Sequence, residues 1–273
     1  LLAIDFIESR IRLRGKSTAD LLALPLASDQ KLEAAIRLMN AVAKAAYQIK
    51  PELCVAVATK IVNLCLRHGN PGACAIGNMV YGAIFRGGVL ANHRFGYEFG
   101  RLALSLVERY GHEQQRAEVN FVVGYFGTSW LRPVVEAEAL WKIAYDAGLQ
   151  TGDLFHTGCA CAGTAMSLFI GGVPLPQMWA ESEPVLTVLR QHRLREPLGV
   201  ITVIRQAIRN LRGDAASPGT LDGGGFDEAA FAGVNACTDL DTQRLGADAQ
   251  GFGAADGLGW PVERGQVAIA GAL

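Results

Sequence analysis

Along residues 26–212 apolar side chains recur at helical spacing, and glycine or proline interrupts them about every 20 residues. Segments punctuated in this way fold as short amphipathic helices joined by tight turns. Leu32, Ile36, Met39, Ala43 and Ala46 form one stripe, running from a cap at Ser28 or Asp29 to Tyr47. Pro51 opens a second helix that closes at Gly69, and Pro71 opens a third that ends near Arg86, Gly87 and Gly88. Phe95, Phe99, Leu102, Leu106 and Tyr110 form a fourth stripe, stopped by Gly111. A fifth helix is expected from about Glu113 to Trp130, a sixth from Pro133 to Gly148, and a seventh from an Asp153 cap to Ile170. Pro176 precedes an eighth, and Pro197 or Gly199 a ninth that ends at Arg212 and Gly213. Near the N-terminus, Ser17, Thr18, Ala19 and Asp20 have the spacing of a capping box for a short helix before Pro25.

The breakers at Gly87, Leu131–Pro133 and Gly171 lie about 44 and 40 residues apart, the range for two-helix repeat units. A single helix pair cannot bury its apolar face alone, so each pair is expected to stack on the next. The expected fold is all-α: a right-handed α-α superhelix of antiparallel pairs, tetratricopeptide-like, with an irregular C-terminal tail. Residues 1–25 read as a helical lead-in, residues 26–212 as the solenoid, and residues 213–273 as a Gly/Ala/Asp-rich, mostly flexible tail.

The stretch from Leu64 to Val89 poses a choice between a site and a joint, because it holds a histidine, two cysteines and several glycines. Local chemistry favours the joint. Gly69 stands where a left-handed residue would end one helix, Asn70 is a good N-cap, and Pro71 suits the first turn of the next.

Hydrophobic residues make up 50% of the 273 positions but aromatic ones only 8%, and Ala and Leu dominate the first 210, which favours helix over sheet. A formal charge of −1 gives no electrostatic reason to expect nucleic acid or an anionic membrane as partner. The one basic cluster, Arg10, Arg12, Arg14 and Lys16, reads as a solvated helix face. Six scattered cysteines (Cys54, Cys65, Cys74, Cys159, Cys161 and Cys237) fit reduced, buried thiols of a cytoplasmic protein. The least charged runs are too short to span a bilayer. The chain begins at Leu1 with neither a methionine nor a cleavable signal, as a piece of a longer protein would.

Motifs that carry chemistry fare poorly. His156, Cys159 and Cys161 in "HTGCAC" lack a fourth ligand and the turn spacing of zinc knuckles, and Cys161 points away from the face that the other two share. "RGKS", Arg14 to Ser17, ends like a phosphate-binding loop, but the required first glycine is Arg10 and no strand precedes it. "GFGAADGLG", Gly251 to Gly259, lacks the spacing and setting of a dinucleotide fingerprint. With no nucleophile elbow, zinc helix or kinase catalytic loop, the expectation is a non-catalytic scaffold without cofactor or metal.

Longer stretches do carry a likeness. "GKSTADLLALPLASDQKLEAAIRLMNAVAKAAYQIKPELCVAVATKIVNLCLRHGN", "YGAIFRGG…ANHRFGYEFGRLALSLVERYG" and "AYDAGLQTGDLFHTGCACAG" resemble one region of large bacterial signalling proteins. These combine a serine/threonine-kinase-like domain, a predicted ATPase, a helical region, and GAF, PAS and histidine-kinase modules. The resemblance runs from about Ser9 to Phe231 and fades beyond Ala232, where an alternative ending such as a shifted reading frame fits as well as a native tail. It implies a tetratricopeptide-like linker-sensor between the ATPase and the transmitter, with those modules as partners and a protein or small-molecule effector in a concave groove. No catalytic residue of that family falls inside the segment. Another reading is a free-standing peptide-binding adaptor of the helical-repeat class. The side chains expected to line the groove are Tyr81, Arg86, Tyr125 and Trp130, all of which also suit ordinary packing between helices.

Overall fold

Short-range chemistry sets where the second, third and fourth helices start. In the computed structural model, which describes residues 2–110, 112–214 and 220–231, the Ser17 N–H donates to the Asp20 carboxylate at 2.8 Å and the Asp20 N–H donates to Ser17 Oγ at 3.2 Å. This reciprocal box opens α2 (Thr18–Leu22), which follows α1 (Leu2–Leu13). Asp29 caps α3 (Gln30–Ile49) by accepting from the Lys31 and Leu32 N–H groups. Pro51, in the first turn of α4 (Pro51–His68), starts the next helix without losing a bond.

The remaining helices are α5 (Ala75–Met79), α6 (His93–Tyr110), α7 (Glu113–Val122), α8 (Val134–Thr151), α9 (Leu154–Ile170), α10 (Leu175–Gln191) and α11 (Arg195–Leu211). All regular structure among the described residues is helical, and it packs as sequential antiparallel pairs. The contacts divide into two compact units, residues 1–153 and 154–273. In the first, α1 lies on α4, α3 pairs with α4, α5 and its extension with α6, and α7 with α8. Its core includes Ile36, Ile61, Met79, Tyr81, Leu106, Val119, Val123 and Trp141, all buried. In the second, α11 packs on α9 and α10 around Leu186, Leu189, Ile201 and Ile208. The parts of the expected flexible tail at residues 215–219 and 232–273 lie outside the described residues.

The third and fifth expected helices differ from simple α-helices. α5 runs without a break into a π-helical segment (Val80–Val89), and α7 runs into another (Val123–Thr128). Both close on bonds to the fifth residue back: Leu90 N–H to the Phe85 carbonyl at 2.8 Å, and Ser129 N–H to the Gly124 carbonyl at 3.2 Å. Gly82 and Gly87 would stand about 140° apart on an α-helix. Here both face α6. A Cβ on Gly82 would lie 2.1 Å from Phe99 Cβ, and one on Gly87 would lie 3.0 Å from Gly96 Cα. The wider winding brings two glycines five residues apart onto one contact face.

The Gly69 joint holds, with altered details. Gly69 ends α4 at φ +91° and ψ −179°, a region open in practice to glycine alone rather than the left-handed helical one. Asn70 does not cap the next helix. Its N–H donates to the Pro25 carbonyl at 2.8 Å, its carbonyl accepts from Ala27 N–H at 3.0 Å, and its Nδ2 donates to the Leu21 carbonyl at 2.8 Å. Pro71 takes the N-cap position of a short 3-10 turn (Gly72–Cys74). The joint is therefore a clamp onto the segment after α2, and a Cβ on Gly69 would lie 2.3 Å from the Pro25 carbonyl oxygen. Gly69→Val is expected to lower stability by about 1–3 kcal/mol or more. His68→Gln, on an exposed side chain, should change it by less than about 0.5 kcal/mol. Urea unfolding of both variants checks the ranking; the reverse order would make His68 part of a buried network.

Candidate functional site

α1, the Val80–Val89 segment and the start of α6 line an open cleft of about 470 Å³. Arg10 and Arg14, one turn apart on and just beyond α1, supply one wall. Tyr81 and Arg86 supply the floor, and Phe95, Ile11 and Leu13 supply apolar surface. α1 is held in place by Asn63 Nδ2, which donates to the Asp5 carbonyl at 2.8 Å, and by Lys60 Nζ, 3.1 Å from the Asp5 carboxylate. Arg67 and then Arg12 hydrogen-bond Glu8 and hold its carboxyl below the usual range. Arg12 therefore serves the α1–α4 contact, whereas Arg10 and Arg14 face the cleft.

Tyr81 is fully buried, with its hydroxyl 2.9 Å from Ser9 Oγ, which itself donates to the Phe6 carbonyl at 2.7 Å. Its ring lies 5.7 Å from Phe99, 6.1 Å from Phe95 and 6.2 Å from Phe85. Burial pushes the phenol up, opposed by the Ser9 hydroxyl and by the charges of Arg86 and Arg10. Arg86 stacks on Phe95 at 4.6 Å and on Phe6 at 5.5 Å from the ring centres. Its Nε is buried and makes no hydrogen bond. Burial lowers the Arg86 pKa, the Tyr81 oxygen acts the other way, and the Arg10 charge lowers it further. Among the described residues, no carboxylate lies within ion-pairing distance of Arg14 or Arg86.

The buried Arg205 behaves differently from the half-buried Arg86. Arg205 Nη1 donates to Ser182 Oγ at 2.7 Å and to the Trp179 carbonyl at 3.0 Å, Nη2 pairs with Glu183 at 2.7 Å, and the guanidinium stacks on Trp179. Both terminal nitrogens of that cation are answered from within α10, so it reads as architecture.

Of the four side chains expected to line a groove, the structure brings Tyr81 and Arg86 together and leaves the other two apart. Tyr125 packs among Phe121 and Phe126, at 5.9 and 5.0 Å between ring centres. Trp130, 39% exposed, stacks on His93 at 4.9 Å. Arg10, Arg14 and Phe95 complete the cleft and were not expected there. The i, i+4 spacing of Arg10 and Arg14 was the available signal, because it places both on one helix face.

His156 and Cys159 are buried in α9 and Cys161 half-buried. Among the described residues no three His, Cys, Asp or Glu side chains form a group able to hold a metal ion. Burial, then the Glu118 carboxylate, pushes the Cys54 thiol up to about 12, and a hydrogen bond with Cys65 together with burial pushes Cys74 up as well. Such thiols are inert at neutral pH. No described helix is long and apolar enough to cross a membrane. Comparison of the chain with family models, with curated proteins and with solved structures returns no match.

Burial pushes the His93 imidazole below its ordinary value, against the Gly87 backbone, which acts the other way. A base depressed in the folded state binds fewer protons there than when unfolded, so stability falls as pH drops below the unfolded value of about 6.5. Above that pH the contribution is constant. In urea unfolding between about pH 8 and pH 5, His93→Gln should lose less stability on acidification than the unaltered protein. Parallel pH profiles would show that His93 is not depressed.

Proposed function

We propose that this segment is a non-catalytic helical-repeat relay of a bacterial signal-transduction kinase, linking an ATPase module to a C-terminal histidine-kinase transmitter in the cytoplasm. The observation that carries the reading is the run of sequential antiparallel pairs, α3 with α4, the extended α5 with α6, and α7 with α8. They occur in a chain whose stretches around "LRHGN", "FGYEFGRLALSL" and "GLQTGDL" resemble the helical region of such proteins. On this reading the pairs wind as a right-handed, tetratricopeptide-like superhelix, and the flanking modules are the partners. In an array of nearest-neighbour contacts, a displacement of one pair is felt by the next, which is what a relay requires.

The purified chain is expected neither to hydrolyse ATP nor to transfer phosphate, and measurable turnover would refute the scaffold. In the parent protein, deleting residues 70–210 should change kinase output while both flanking enzymes stay folded. Unchanged output from that deletion would refute the relay.

A further inference from the structure

The geometry points to the cleft between α1, the Val80–Val89 segment and the start of α6 as a binding site for a small phosphate monoester with an aromatic body. Arg10, Arg14 and Arg86 all line a space of about 470 Å³, within the size range of small-molecule sites. No carboxylate among the described residues pairs with Arg14 or Arg86, and Arg86 Nε is buried without a hydrogen bond. A half-buried cation with no acid beside it is costly to the fold, and an anion brought to it is screened less than at the open surface. The same chain neutralises its buried Arg205 with Glu183, Ser182 and a backbone carbonyl. The missing acid at Arg86 is thus local to the cleft.

The ligand class follows from the lining. Guanidinium forks match oxyanions, and a phosphate monoester offers Arg14 and Arg86 three terminal oxygens and up to two negative charges, against the two oxygens and single charge of a carboxylate. Beside the cations stand half-buried Phe95 and Leu13 and exposed Ile11, which offer apolar surface for the rest of the molecule. Arg86 is already held against Phe95 and Phe6, so it loses little side-chain freedom when the anion arrives. The assignment does not rest on the relay reading, since it concerns binding to this chain whatever flanks it.

Calorimetric titration of the full chain with phenyl phosphate, inorganic phosphate and benzoate tests it. Phenyl phosphate should bind at sub-millimolar concentration, with inorganic phosphate and benzoate each weaker by roughly tenfold or more. Arg86→Met and Arg14→Met should each weaken phenyl phosphate by at least about tenfold. Arg12→Met should bind as the unaltered protein does, because Arg12 is engaged with Glu8 outside the cleft. Arg14 is exposed, so its variant keeps the test decisive even if Arg86→Met fails to fold. No heat with phenyl phosphate up to about 10 mM would overturn the site. Equal losses from Arg12→Met and Arg14→Met would reduce it to general basic charge. Benzoate or inorganic phosphate binding as tightly as phenyl phosphate would overturn the ligand class.

Discussion

The first unit depends on one contact in which two backbones meet without side chains between them. A Cβ on Gly96 would lie 2.7 Å from Gly87 Cα, and one on Gly87 would lie 3.0 Å from Gly96 Cα. Only glycine on both sides allows helices to approach this closely. The consequence reaches the cleft directly, because the next residues along are Arg86 and Phe95. With Gly87 against Gly96, the Arg86 guanidinium is delivered onto the Phe95 ring at 4.6 Å. Push the two backbones apart by the width of a methyl group, and that stack and the cleft floor both open. The contact also explains the π winding, since an ordinary helical turn would swing Gly82 and Gly87 to different faces.

α6 takes a similar approach from the other π segment. Gly100, one turn beyond Gly96, leaves room for Val123, where a Cβ would lie 2.9 Å from Val123 Cγ1. Gly124 in turn accommodates the buried Trp141 indole, whose Nε1 donates to the Phe121 carbonyl at 3.3 Å. Small residues on α6 thus accept one π segment through Gly96 and the next through Gly100. The close packing is sequential, pair upon pair, and it runs along a helix whose opposite face is exposed at Arg94, Glu98 and Arg101.

How much of this was legible from the residues depends on the range of the forces. The Ser17–Asp20 box, the Asp29 cap and the Pro51 start are settled within four residues, and the sequence states them openly. The all-α pairing follows from apolar spacing and breakers, which are also local. The Asn70 role was not legible, because its partners, Leu21 and Pro25, are some 45–49 residues away and offer bonds that outcompete a cap. The π segments escaped for the same reason: a hydrogen bond shifted by one residue is decided by the helix packed against it. In the cleft, Tyr81 and Arg86 stood out as large polar groups on an otherwise apolar helix. Arg10 and Arg14 did not, since a basic i, i+4 pair looks the same whether its face meets water or the mouth of a cleft.

His93, the first residue of α6, is biased towards its neutral form. It opens the helix, where the backbone dipole disfavours a cation, and its imidazole lies flat on Trp130 with Nδ1 buried and unpartnered. Burial and helix position act in the same direction and favour the neutral ring. Two residues further on, Phe95 meets Arg86, which stays charged because a guanidinium holds its proton far more tightly than an imidazole. The same helix end thus rejects one cation and stacks beneath another. What separates the two is the chemistry of the side chain: burial favours the neutral form of His93, whereas Arg86 keeps its charge.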